Sequence, residues 1–125
     1  MYVHLDDERV AGYFALAPHH VRRGEIPTSI GRGSPDTIPG FLLARLALAE
    51  DLKGGGRGGE LLAIALEKVL QALVVGGGRL IVVDAVDENA AGFYRHYGFK
   101  QTPADPGRFV MKASTAAASL AIDWV

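Results

Sequence analysis

Apolar residues recur at three- and four-residue intervals from Leu62 through Ala65, Leu66, Val69 and Leu70 to Leu73. That spacing lays one apolar stripe along an α-helix. Glycines bracket the stripe, with Gly54, Gly55, Gly56, Gly58 and Gly59 before it and Gly76, Gly77 and Gly78 after it, so the pattern predicts a helix over residues 60–75. On either side lie runs suited to strands covered on both faces: residues 41–48, apolar except for Arg45, and the branched run 80–83. Strand, helix and strand together predict a crossover unit. Residues 2–5 and 10–16 flank the polar Asp6, Asp7, Glu8 and Arg9, as in an antiparallel hairpin. Residues 17–40, carrying Pro18, Pro27, Pro35 and Pro39, read as a long irregular connection with room for one short helix. Beyond the second buried strand, Asp87 is placed to cap a short helix over residues 88–97 that Gly98 ends, and residues 108–112 read as a final strand. The fold class is therefore α/β with a mixed sheet, in one domain over residues 1–113 followed by an alanine-rich tail, 114–125, with no evident chemistry.

Composition narrows the function. A chain of 125 residues that is 49% hydrophobic makes one domain with a real core. With no cysteine there is no disulfide, thiolate zinc site or cysteine nucleophile, in keeping with a cytoplasmic protein. The apolar runs fall far short of the ~18–20 residues of a membrane span, and the early acids interrupt any signal peptide. Thirteen Lys+Arg against 14 Asp+Glu give no global attraction to nucleic acid. Locally the balance differs: residues 22–57 hold six basic side chains, Arg22, Arg23, Arg32, Arg45, Lys53 and Arg57, against four acids. If that segment borders a cleft, Arg22, Arg23, Arg32 and Arg45 are candidates for gripping phosphates. Arg45, alone in an apolar strand, needs a partner or must face a substrate. His4, His19, His20 and His96 show no metal-ligand spacing and are expected at the surface or in loops.

A glycine-rich turn between a buried strand and a helix leaves backbone N–H groups unpaired at the positive end of the helix dipole, where phosphate binds. A Walker loop is excluded, because Lys53 precedes the glycines and no hydroxyl residue follows them. Gly54, Gly56 and Gly59 match the dinucleotide spelling and Asp84 closes the next strand, but residues 50–53 separate the first glycine from the strand. The pyrophosphate arm of coenzyme A remains. Lys53-Gly54-Gly55-Gly56-Arg57-Gly58 resembles the loop of the GNAT acyltransferase superfamily whose amides hold that pyrophosphate, with lysine where glutamine or arginine is usual. Downstream, Asp87-Glu88-Asn89-Ala90-Ala91-Gly92-Phe93-Tyr94-Arg95-His96-Tyr97-Gly98-Phe99 is similar to the superfamily's closing helix.

Within the superfamily, Val10-Ala11-Gly12-Tyr13-Phe14-Ala15-Leu16-Ala17, then Ile38-Pro39, then Leu42-Leu43-Ala44-Arg45-Leu46-Ala47-Leu48 resemble the toxins of toxin–antitoxin pairs that acetylate the amino acid on charged transfer RNA. The resemblance runs from about Arg9 to Lys112 and implies a GNAT fold without its usual first strand and helices. It also implies acetyl-CoA as cosubstrate with no metal. Backbone groups of Leu46 and Leu48 would meet pantetheine, and an N–H near Leu46 would stabilise the oxyanion. Lys53, Gly54, Gly56, Arg57, Gly58 and Gly59 would take the pyrophosphate, and Tyr94 would protonate the leaving thiolate. The implied partners are aminoacyl-tRNA as substrate, a ribbon-helix-helix antitoxin and a second copy in a homodimer. An ordinary N-acetyltransferase of proteins or small amines, and a silent domain that binds coenzyme A or antitoxin, are the alternatives.

Overall fold

The computed structural model describes residues 2–6, 9–48, 57–76 and 79–120. Strands β1 (Tyr2–Asp6) and β2 (Arg9–Arg22) form the expected antiparallel hairpin, and β3 (Thr37–Leu48) continues beside β2. Helix α2 (Arg57–Gly76) crosses to β4 (Leu80–Asp84), which runs parallel to β3. Helix α3 (Glu88–His96), β5 (Lys100–Gln101), β6 (Arg108–Lys112) and α4 (Ala113–Ser119) complete the chain, and the six strands lie in the order β1-β2-β3-β4-β6-β5.

The segment 17–40 is far less irregular than its prolines suggest. Strand β2 runs on to Arg22, and after a 3₁₀ turn (Arg23–Glu25) and the short α1 (Thr28–Gly31), β3 already begins at Thr37. Among the described residues, both prolines inside strands sit where pairing is one-sided. The described pairing of β1 with β2 does not reach Pro18, which pairs with Phe41 of β3, and β4 pairs with β3 only from Gly40, so Pro39 precedes that ladder. A proline with no ladder hydrogen bond to lose is tolerated.

Two cores cover the two faces of the sheet. On one face the α2 stripe, Leu62, Ala65, Leu66, Val69, Leu70 and Leu73, packs on Phe14, Leu43, Ile81, Val83, Phe109 and Met111. Ala91 and Tyr94 of α3 and Ala113, Ala116 and Ala117 of α4 join this core, so the front of the alanine-rich tail is a packed helix. On the other face, Ile26 beside the 3₁₀ turn and Ile30 of α1 close over Val21, Ile38, Leu80, Val82 and Val110. Among the described residues, no helix is long and apolar enough to cross a membrane.

Candidate active site

The chemistry the fold can support centres on a fork between two parallel strands. Pairing of β3 with β4 begins at Gly40 and Leu80 and ends at Leu43 and Val83, while β3 continues to Leu48 against β2 alone. From Ala44 onward the β4-facing edge of β3 therefore has no ladder partner among the described residues. The strand also bulges at this point. Tyr13 faces Ala47 but Ala15 faces Ala44, so Arg45 and Leu46 together oppose the single residue Phe14. A bulge leaves its extra residue outside the ladder. Side-chain parity records the slip, since Leu43 and Leu46 both pack on the helical face although three positions apart. Backbone groups around Leu46 are thus freed twice, by the bulge and by the fork, and such groups can bind an extended ligand or a developing oxyanion.

Helix α2 starts beyond the fork. Arg57, Gly58 and Gly59 form its first turn, so the helix begins three residues earlier than its apolar stripe suggests, and these three are helical N–H donors rather than loop residues. Lys53, Gly54 and Gly56 lie outside the described residues, as do the side chains of Arg45, Leu48 and Arg57. Helix α3 touches this start: a Cβ at Gly59 would fall on the Tyr97 hydroxyl, so glycine is what lets Tyr97 close over the first turn of α2. Tyr97 is itself held against Phe93 and His96, with ring centroids 5.0 and 4.8 Å away.

Asp87 caps α3 by accepting a hydrogen bond from the Ala90 N–H at 2.8 Å, and Gly98, at φ +94°, turns the chain out of it as anticipated. This fixes Tyr94, which is 6% exposed and packed against Phe93, Phe99 and Phe109. Burial, and secondarily the charge of Asp84, push the Tyr94 phenol above its usual range, so it remains a protonated O–H at neutral pH.

Histidine 19 departs from the surface or loop position expected of it. It lies half-buried in β2, and its Nε2 is 2.9 Å from an Arg108 Nη that donates to it. The same guanidinium grips Asp84 with bonds of 2.8 and 2.9 Å. Nothing in the sequence marks this trio, because the Arg108–His19 contact joins residues 89 positions apart.

The arginines differ in availability. Arg23 is committed to Asp36 at 2.6 Å and to the Ser34 carbonyl at 2.8 Å, whereas the exposed Arg22 and Arg32 make no side-chain ion pair among the described residues. All three flank the 3₁₀ turn and α1, on the face opposite α2. Among the described residues no group of three His, Asp or Glu is arranged to hold a metal ion.

A mixed sheet forked beside a bulged central strand, with a helix starting past the fork and a buried tyrosine on the next helix, is the GNAT acyltransferase fold. No family model matches the chain. It is 38% identical over 105 residues, 84% of its length and 63% of the relative's, to a tRNA-acetylating toxin of Mycobacterium tuberculosis. Among solved structures, the toxin AtaT complexed with acetyl-methionyl-tRNAfMet superposes with a TM-score of 0.80 at 28% identity, over 92% of this chain and 70% of that one. A mutant of AtaT bound to the C-terminus of the antitoxin AtaR and to acetyl-CoA gives 0.73 at 25% identity, over 90% and 64%. The chain is thus similar to GNAT toxins in sequence and fold, and it spans less than two thirds of the length of the Mycobacterium tuberculosis protein.

Proposed function

We infer that this chain is an acetyl-CoA-dependent N-acetyltransferase whose substrate is the α-amine of aminoacyl-tRNA, and that it acts as a toxin by blocking translation. The observation that carries this reading is the fork: backbone groups freed around Leu46, the N–H groups of Arg57, Gly58 and Gly59 past its open end, and the protonated Tyr94 on the adjoining helix. This arrangement suits an elongated acyl carrier that ends in a pyrophosphate. The similarity to a tRNA-acetylating toxin selects the substrate class.

Bound acetyl-CoA supplies the thioester carbonyl that the amine attacks. The α2 start and the glycines 54–56 that precede it in sequence hold the phosphates, with Lys53 and Arg57 adding charge. Backbone edges at Leu46 and Leu48 line the carrier's arm, and an N–H near Leu46 donates to the carbonyl oxygen as it gains negative charge. Tyr94 gives its proton to the departing thiolate. No strong base is required, because a free α-amine titrates near 7.7–8.0, whereas a lysine amine, near 10.4, would need one. Arg22 and Arg32 meet RNA phosphates, with Arg45 near the fork, while Arg23 holds the segment that carries them. A ribbon-helix-helix antitoxin and a second copy of the chain are the proposed partners, and the cytoplasm the proposed compartment.

The test is incubation of the purified chain with labelled acetyl-CoA and total aminoacyl-tRNA beside a Tyr94→Phe control. Tyr94-dependent label on the RNA supports the reading. Calorimetric binding of coenzyme A without transfer would redirect it to another amine or to a silent domain.

A further inference from the structure

The side chains of Asp84, Arg108 and His19 have no role in the chemistry above, yet they meet beside the fork. Strand alternation puts them on one face. Asp84 follows the parity of Val82, Arg108 that of Val110 and His19 that of Val21, and all three of those valines belong to the core opposite α2. Asp84 is the residue after Val83, the last of β4 to pair with β3. Asp84 therefore stands at the fork, on the face away from α2 and α3, beside its β6 partner Arg108, and the His19 ring reaches that guanidinium across the same face from β2, where its backbone pairs with Gly40.

Its hydrogen bonding defines a tautomer. Arg108 spends Nε and one Nη on the two Asp84 oxygens, and its other Nη is 2.9 Å from His19 Nε2. A guanidinium can only donate, so Nε2 is the acceptor and the ring proton sits on Nδ1. No described residue accepts from that N–H. Burial and the Arg108 charge lower the His19 pKa; of the other charged groups facing it, His20 acts in the same direction, while Asp84 and Glu25 oppose it. The ring is neutral at physiological pH, and its contact with Arg108 fixes Nδ1 as its donor.

The fork divides the two substrates. A carrier whose phosphates rest on the start of α2 enters from the helical face, so the amine must reach the thioester from the other face, where His19 lies. We propose that His19 is a positioning residue for the amine substrate: locked by Arg108 and Asp84, its Nδ1–H donates to the ester carbonyl oxygen adjacent to the attacking α-amine. This rests on the acetyltransferase reading and sharpens it, because an α-amino ester offers that oxygen and a lysine side chain does not.

Replacement series on the full chain separate donation from support of Arg108. Asparagine places an N–H near the Nδ1 position, and glutamine places an oxygen near the Nε2 position. His19→Ala is expected to lower kcat/KM for aminoacyl-tRNA about tenfold, the worth of one neutral hydrogen bond, with the acetyl-CoA dissociation constant unchanged by calorimetry. His19→Asn should recover most of that loss and His19→Gln little of it. In the wild type, imidazole nitrogen shifts by NMR should report the Nδ1–H tautomer. Equal kcat/KM for wild type and His19→Ala, better rescue by glutamine than by asparagine, or an Nε2–H ring would each overturn the inference while leaving acetyl transfer by the wild type intact. A wild type that neither binds acetyl-CoA nor transfers acetyl would instead overturn the acetyltransferase reading, and this inference with it.

Discussion

Replacing Tyr94 by phenylalanine and by alanine separates its chemistry from its packing. The ring is 6% exposed and lies 5.5 Å from the centroids of Phe93 and Phe99 and 6.3 Å from that of Phe109, contacts that phenylalanine keeps. The hydroxyl donates to no described residue, so its loss breaks no hydrogen bond among the described residues and should move stability by no more than about 1 kcal/mol. Alanine empties the ring's volume, at a cost of about 3–5 kcal/mol. Against a total of about 5–15 kcal/mol for a domain of this kind, that lowers Tm by roughly 10–20 °C. Loss of a general acid, by contrast, lowers the rate about 10²–10⁴-fold. Calorimetric scanning and acetyl-transfer assays on Tyr94→Phe should therefore show a nearly wild-type Tm, unchanged coenzyme A affinity and a rate reduced at least about a hundredfold. Because the phenol titrates above its usual range, wild-type kcat should lose no activity from Tyr94 ionisation until above about pH 10. A phenylalanine variant with wild-type turnover, or one as unstable as the alanine variant, would refute the assigned role.

Gly58→Glu adds bulk and negative charge in the first turn of α2 and should abolish coenzyme A binding by calorimetry; retained affinity would remove that turn from the phosphate site. Arg22→Ala with Arg32→Ala should reduce the salt slope of tRNA binding by about two, whereas Arg23→Ala, which breaks the Asp36 bond, should chiefly lower stability. His19 and Asp84 both have lowered pKa values, so the unfolded chain binds more protons and stability falls with acid, first below about pH 6.5 as His19 protonates and then below about 3.8 as Asp84 does. Urea unfolding across pH 5–8 should show the first loss, and His19→Asn should flatten it.

What could be read from the chain depended on how local the determinants are. The α2 stripe, the 80–83 run and the Asp87 cap are contiguous signals, and all three became the elements they suggested. The continuation of β2 past Pro18 was hidden, since a proline reads as a breaker and the ladder with β3 that carries the strand on to Arg22 is a long-range pairing. Helix α4 carries its stripe in Ala113, Ala116 and Ala117, side chains too small to stand out by hydropathy. Strand β5 has only two residues, too few for any period. Around the candidate site, the helix that follows the glycines and the short capped helix that carries Phe93 and Tyr94 were legible. The bulge at Arg45 and Leu46 and the His19–Arg108–Asp84 chain exist only through register and long-range contact.

The most direct measurement is the mass of the aminoacyl-adenosine released by nuclease from charged tRNA after incubation with this chain and acetyl-CoA. Acetylation of the α-amine, present with the wild type and absent with Tyr94→Phe, is the expected result. An unmodified aminoacyl end, from a chain shown to bind coenzyme A, would contradict it.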